Sequence, residues 1–318
     1  MSTIPVIDIQ AWREGDLGLA RTVDRALQES GFLLVENHGV SSVLTAQIRA
    51  CARRFFLLPP QVKVRYAATV GGRGWVPPGR EANAFYGEVA DATRADLKES
   101  YTIGRDFATG DEYVDGEWFR PNVWPGEVPE LAGLCCRYTD ALRELYDDLL
   151  ALCAVALGLG RDWFIRRTRL SPHTFNINRY PAMSETGPAL PGQFRIAPHT
   201  DWGVVTILDR QVGYGGLQIQ RPDGVWEDAP HHQGAFTVNI GDLMARWTGD
   251  RWRSTRHRVL PPSASAPDEE LISLILFLEA DTQAVIEPLA PPIGRGRPYA
   301  PVTAGAYLLE RANAATVR

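Results

Sequence analysis

His199 and Asp201 stand two residues apart, and a third candidate ligand, His257, follows in a later segment. Two imidazoles and one carboxylate on one face of an octahedral metal form the ligand set of a non-haem Fe(II) oxygenase. Three protein ligands leave three metal positions open, which suits O2 activation beside a bidentate organic acid. The spacing has a physical logic. With Val204–Leu208 as a strand, His199 and Asp201 lie just before it, and alternation turns both side chains to one side. His257 comes from a later strand, His257–Leu260, so one cavity between two sheets collects all three ligands.

The elements that must position these residues divide the chain into a helical half and a strand-rich half. Leu17–Ser30 reads as a helix ending near Gly31, and Ser41–Leu58 as a second, capped by Ser41 or Ser42 and stopped by Pro59-Pro60. The density of glycine and proline over Gly71–Gly79 reads as a loop. Leu131–Leu157 carries a long 3.6-residue apolar period, broken by Gly158-Leu159-Gly160, and predicts the main helix packed on the sheet. From there short strands alternate with turns: Thr174–Tyr180, Val204–Leu208, Leu217–Gln220, Phe236–Ile240, Arg256–Leu260 and Leu271–Leu278. Many short strands bounded by Gly and Pro indicate a double-sheet jelly roll rather than a parallel sheet. The expected fold class is mixed α/β with a predominantly β core and flanking N-terminal helices. No linker divides the chain, so 1–318 reads as one oxygenase domain. Within it, 1–170 is mainly helical, 171–290 is the core with the metal site, and 291–318 is a C-terminal segment.

Composition narrows the function classes. With 318 residues, 45% of them hydrophobic, the chain can bury a sizeable core. A net charge of −5 and a pI near 5.7 argue against nucleic acid or anionic membranes as partners. No apolar run approaches the roughly 20 residues needed to span a bilayer. The start, Met1-Ser2-Thr3-Ile4-Pro5, has neither a basic nor a hydrophobic signal region, so the expected location is cytoplasmic. Cys51, Cys135, Cys136 and Cys153 fit a reducing compartment and read as core residues. His231-His232 reads as surface, His38 as a packing or turn residue, and Asp242 as a turn acid. His173 has no partner in sequence.

Beyond the triad, a series of segments resembles the isopenicillin N synthase-like branch of the Fe(II)/2-oxoglutarate-dependent oxygenases. Ile4-Pro5-Val6-Ile7-Asp8 and Gly31-Phe32-Leu33-Leu34-Val35-Glu36-Asn37-His38-Gly39 are similar to that family's opening strand and its "NHG" element. Phe55-Phe56-Leu57-Leu58-Pro59, Asp96-Leu97-Lys98-Glu99 ("D-x-K-E") and Asn178-Arg179-Tyr180-Pro181 ("N-x-YP") follow in the family's order. So do His199-Thr200-Asp201-Trp202-Gly203, Gly215-Gly216-Leu217-Gln218, Val238-Asn239-Ile240-Gly241-Asp242-Leu243 and Ser254-Thr255-Arg256-His257-Arg258-Val259. The likeness runs nearly end to end. It implies a double-stranded β-helix, Fe(II) on His199, Asp201 and His257, and 2-oxoglutarate held by Asn178, Tyr180 and Ser273. The reaction implied couples decarboxylation of 2-oxoglutarate to hydroxylation, desaturation or ring closure of a small organic molecule with O2.

One part of the pattern is missing. The family's "R-x-S" pair, whose Arg forks onto the far carboxylate of 2-oxoglutarate, falls on Leu271-Ile272-Ser273. A buried carboxylate left without its counter-charge costs about 3–5 kcal/mol. Either another basic residue has taken the task, or the enzyme is an oxidase of the isopenicillin N synthase type that uses O2 without 2-oxoglutarate. A third reading, a metal- or ligand-binding protein without catalysis, is disfavoured by the intact triad. Arg179, Arg195 and Arg256 are the basic residues nearest these motifs. Strand alternation turns Arg179 and Arg256 away from the ligand side, and Arg195 reads as solvated or at the cavity mouth. Candidate substrate contacts are Trp202, Phe277, Phe85 and Arg195, with Trp75, Phe85 and Tyr86 in segments that often form a lid in the family. Aromatic lining suggests a sizeable apolar or amphipathic substrate from specialised metabolism.

Overall fold

The computed structural model describes residues 4–82, 92–211, 213 and 216–315. Its strands are β1 (Val6–Asp8), β2 (Phe32–Glu36), β3 (Gly74–Val76), β4 (Glu99–Gly104) and β5 (His173–Tyr180). Then come β6 (Ile196–His199), β7 (Val205–Asp209), β8 (Leu217–Gln220), β9 (Trp226–Asp228) and β10 (Phe236–Ile240). The last are β11 (His257–Val259), β12 (Leu271–Leu278), β13 (Val285–Ile286) and β14 (Val302–Thr303). An eight-stranded sheet has the order β1-β2-β10-β7-β12-β5-β4-β3, and a four-stranded sheet the order β6-β11-β8-β9. The result is a mixed α/β protein around a large β-sheet core. Among the described residues no helix is long and apolar enough to cross a membrane.

Alternation along the central strands explains how one sheet serves two surfaces. In β12, Ile272, Leu274, Leu276 and Leu278 join the main core with Leu142, Leu145, Leu149 and Leu152 of the helix Glu130–Ala156. The residues between them, Ile275 and Phe277, with Glu279 just beyond the strand, line a cavity on the other face. β5 behaves likewise, with Phe175 and Ile177 in the core and Thr174, Asn176, Asn178 and Tyr180 on the cavity. This double duty is why Leu271–Leu278 reads as a continuous apolar run rather than an alternating one.

Most elements fall where the sequence places them, with boundaries moved by a residue or two. The first predicted helices are Leu19–Glu29 and Ser42–Phe56, and the Ser41 side chain caps the second by accepting from the Leu44 N–H at 3.4 Å. The expected loop at 71–79 contains β3, which pairs with β4, so the glycine-rich stretch hides an edge strand. The motif Asp96–Ser100 leads into β4 itself. A C-terminal helix, Ala304–Ala315, was not legible in the sequence pattern. Asp242 is the first residue of the helix Asp242–Trp247 rather than a turn acid. Three cysteines are buried as expected, but Cys136 is exposed on its helix.

Candidate metal centre and cosubstrate pocket

β6 and β11 pair antiparallel with His199 directly opposite His257, so the two imidazoles lie side by side with centroids 4.3 Å apart. His199 and Asp201 both precede β7, as the sequence reading had it, but they do not belong to one alternating segment. His199 ends β6 in the small sheet, and Asp201 sits in the crossing that leads to β7 in the large one. The ligand pair therefore spans both sheets. Two close approaches hold the crossing. Asp242 N–H donates to the Asp201 carbonyl at 2.8 Å, and a Cβ on Gly241 would meet the Gly203 carbonyl at 2.4 Å.

The side chains suit a divalent metal. His199 Nδ1 lies 2.8 Å from the Ala197 carbonyl and His257 Nδ1 lies 3.1 Å from the Thr255 carbonyl. A carbonyl can only accept, so each Nδ1 carries the proton and each Nε2 presents a lone pair. Those Nε2 atoms stand 3.7 and 3.6 Å from Asp201 Oδ1, and the three ligand atoms lie within 4.8 Å of one another. Asp201 Oδ2 is turned away from them, accepting from Thr206 Oγ1 at 2.6 Å and Asn239 Nδ2 at 2.7 Å. Phe32 packs edge-on against the His257 ring at 5.6 Å.

Electrostatics point the same way. Burial, then the neighbouring His257, lowers His199 to about 4. Burial works against ionisation of Asp201, but His257, His199, Asn239 and Thr206 outweigh it and hold the carboxyl below its ordinary value. A neutral imidazole beside an ionised carboxylate is the protonation state that metal binding requires.

The site opens into a cavity of about 270 Å³. At one end, Tyr180 is buried and within hydrogen-bonding reach of Asn178 and Ser273, the three residues implied as cosubstrate contacts. Leu271 lies opposite Tyr180 in the β12–β5 register and packs with Phe32, Ile196, Leu217 and Val259, with no charge of its own to offer. Trp202 and Phe277 line the cavity, as expected. Phe85 and Tyr86 lie outside the described residues. Trp75 is a core residue, donating from Nε1 to Glu99 Oε2 at 2.7 Å, rather than part of a lid.

Arg195 is neither solvated nor at the cavity mouth. It is 1% exposed, pairs with Glu269 at 3.1 Å, and holds its guanidinium 5.7 Å from the Tyr180 ring. Arg179 faces the opposite side of the sheet, as alternation requires, and is bound by Glu99, Glu185 and Glu270. His231 and His232 are exposed, and His38 stacks on Phe236 at 3.8 Å.

Several cavity residues were not singled out from the sequence. Thr206 and Asn239 orient the carboxylate, and Asn239 lay within a quoted motif without a role. Thr102, Thr174, Asn176 and Glu279 add a polar wall beside the aromatic lining on which the expectation of an apolar or amphipathic substrate rested. Asn176 Oδ1 and Glu279 Oε2 are buried with no hydrogen-bond partner among the described residues. Burial, then the charge of Asp201, raises Glu279 to about 8.

Comparison with known proteins agrees with this site. Residues 4–127 match the profile of the N-terminal region of non-haem dioxygenases in morphine synthesis, and residues 172–279 match that of the 2OG-Fe(II) oxygenase superfamily. A validamycin A dioxygenase of Streptomyces hygroscopicus subsp. limoneus is 38% identical over 97% of this chain and 86% of its own length. A homoarginine-6-hydroxylase of Glycine max is 27% identical over 91% of this chain and 88% of its own. Among solved structures, a Neurospora crassa protein in complex with alpha-KG and thymine superposes with a TM-score of 0.83 at 29% identity, covering 98% of this chain and 96% of that one. With the triad, the cavity and these relatives in agreement, the chain belongs to the 2OG-Fe(II) oxygenase superfamily.

Proposed function

We propose that His199, Asp201 and His257 hold Fe(II) and that Asn178, Tyr180 and Ser273 bind 2-oxoglutarate, in an enzyme that oxidises a small polar molecule with O2. The observation that carries this is the convergence of two Nε2 lone pairs and Asp201 Oδ1 at the wall of a cavity that runs on to Tyr180. We read the two sheets as the halves of a distorted double-stranded β-helix, and the whole chain as one oxygenase domain with the 1–170, 171–290 and 291–318 divisions above.

When bound, Fe(II) with 2-oxoglutarate supplies the oxidising power for attack on a C–H bond. The chain's own residues do the positioning. The Ala197 and Thr255 carbonyls fix both imidazole tautomers, while Thr206 and Asn239 aim the Asp201 carboxylate. The Tyr180 and Ser273 hydroxyls donate to the far carboxylate of the cosubstrate. Trp202 and Phe277 flank the substrate, and Thr174, Asn176 and Glu279 meet its polar groups. Leu271 favours the alternative of an oxidase that dispenses with 2-oxoglutarate; the alpha-KG bound in the 29% identical solved relative supports the cosubstrate route.

The first substrate to try is validamycin A, which the 38% identical relative is named for. With Fe(II), O2 and 2-oxoglutarate, the expected result is substrate-dependent succinate formation that Asp201→Ala abolishes. Substrate-dependent O2 uptake with no succinate would instead establish the oxidase alternative.

A further inference from the structure

Leu271 leaves the far carboxylate of 2-oxoglutarate without its usual arginine, but the sheet register brings another cation to the same place. β12 pairs with one edge of β5, setting Leu271 opposite Tyr180 and Ser273 opposite Asn178. β4 pairs with the other edge, setting Ser100 opposite Asn178. Ser100, Asn178 and Ser273 form one row on the cavity side, and Lys98, two residues before Ser100 and just ahead of β4, lines the same cavity as Tyr180, whose partner in β12 is Leu271. Leu271, paired in β12, and Lys98, at the start of β4 on the other edge of β5, thus lie to either side of Tyr180. A carboxylate over the Tyr180 hydroxyl can be met from either flank.

We propose that Lys98 is the cation that holds the distal carboxylate of 2-oxoglutarate, replacing from β4 the arginine absent from β12. This deepens the cosubstrate reading above and rests on it. Lys98 lines the cavity and is buried. Burial works against its charge, but Glu81 and Asp96 outweigh it and carry its pKa above the ordinary lysine value, so it is an ammonium at neutral pH. An ammonium has three donors. Ser100 Oγ takes one at 2.9 Å and the Glu81 carboxylate another, which leaves a third without a partner among the described residues. The contact with Glu81 also shows this ammonium donating to a carboxylate in place. The other lysine, Lys63, is spent on Glu99 and the Phe56 carbonyl. Arg195 is the competing cation, with its Nε buried and without a hydrogen-bond partner among the described residues, but Glu269 takes Nη1 and Nη2 through a carboxylate and a carbonyl oxygen, and the residue stands outside the lining of the cavity.

The test compares 2-oxoglutarate with 2-oxopentanoate, which keeps the chelating end and has a methyl group where the distal carboxylate would be. Each is titrated anaerobically into the Fe(II)-loaded protein and followed by the visible band of the chelated 2-oxo acid. The wild type should prefer 2-oxoglutarate by about 10- to 100-fold, the worth of one charge-assisted hydrogen bond. Lys98→Met should erase most of that preference while leaving 2-oxopentanoate affinity unchanged, which loss of structure alone could not do. Adding Leu271→Arg to Lys98→Met should restore it. Lys98→Gln, which keeps a donor for Glu81 and Ser100, gives the same readout with less disturbance of the fold. The proposal is overturned by a wild type that binds both acids equally, by Lys98 variants that keep the preference, or by Arg195→Met abolishing it instead. No band with either acid, with Fe(II) bound stoichiometrically, would overturn the cosubstrate reading itself and this proposal with it.

Discussion

Thr206→Val replaces a hydroxyl by a methyl of nearly the same shape and removes one of two hydrogen bonds that aim Asp201. The Thr206 hydroxyl donates to Asp201 Oδ2 at 2.6 Å in a site where both residues are about 5% exposed. A hydrogen bond to a charged group contributes about 1.5–3 kcal/mol, which is a factor of roughly 10 to 150 in an equilibrium constant. Unlike removal of an acceptor, the change strands no buried donor, so the fold should tolerate it. The loss falls instead on the carboxylate, whose Oδ2 keeps only the Asn239 bond at 2.7 Å while Oδ1 faces both histidines. Metal affinity should drop by about 10- to 100-fold, the range for groups that orient a ligand. Asn239→Leu should act alike, and the double variant should lose more than the two single losses combined, because no hydrogen bond to Oδ2 is then left to hold the rotamer. The assay is anaerobic competition for Fe(II) against a chromophoric chelator, with circular dichroism to establish that each variant is folded. Unchanged Fe(II) affinity in folded Thr206→Val and Asn239→Leu would refute the reasoning.

Other consequences follow from the packing and the charges. Leu276 is 0% exposed on the helix side of β12, so Leu276→Ala should cost about 2–5 kcal/mol in denaturant unfolding; a loss well below that range would place its side chain elsewhere. Gly241→Ala puts a Cβ 2.4 Å from the Gly203 carbonyl, and the resulting strain of about 1–3 kcal/mol should lower both the melting temperature and Fe(II) affinity together. Glu279 has a folded-state pKa raised from 4.5 to about 8, by burial first and then by Asp201. A raised carboxyl favours the folded state below pH 4.5, and that contribution is lost as pH rises toward 8. Metal-free wild type should therefore lose melting temperature relative to Glu279→Gln across that window, and parallel curves would contradict the assignment.

The metal triad was legible because ligands need particular side chains at particular spacing, and His199, Asp201 and His257 are written in the chain. The absent arginine was legible too: counting along Leu271–Ser273 put Leu271 in the place that the register then set opposite Tyr180. What the sequence hid depends on partners far away in it. Arg195 looked solvated because nothing nearby pairs with it; its partner, Glu269, arrives from the approach to β12. Lys98 passed as part of a motif because only the pairing of β4 with β5 brings the residue just ahead of β4 into the cavity that Tyr180 lines. The polar wall of Thr174, Asn176 and Glu279 escaped notice because Thr174 and Asn176 alternate with core residues of β5 and Glu279 follows the apolar run of β12, so the apolar neighbours dominate the pattern. β3 was lost among glycines, since three residues are too few for a period to show.

The central claim is that one cavity binds Fe(II) through His199, Asp201 and His257 and presents it to 2-oxoglutarate. Its most direct test is metal content and the anaerobic visible spectrum, measured on wild type, His257→Ala and Asp201→Ala with saturating 2-oxoglutarate. The account predicts one Fe(II) per wild-type chain with a saturable band, and loss of both in each variant. A wild type that binds Fe(II) without forming the band, or an Asp201→Ala variant that keeps both metal and band, would contradict it.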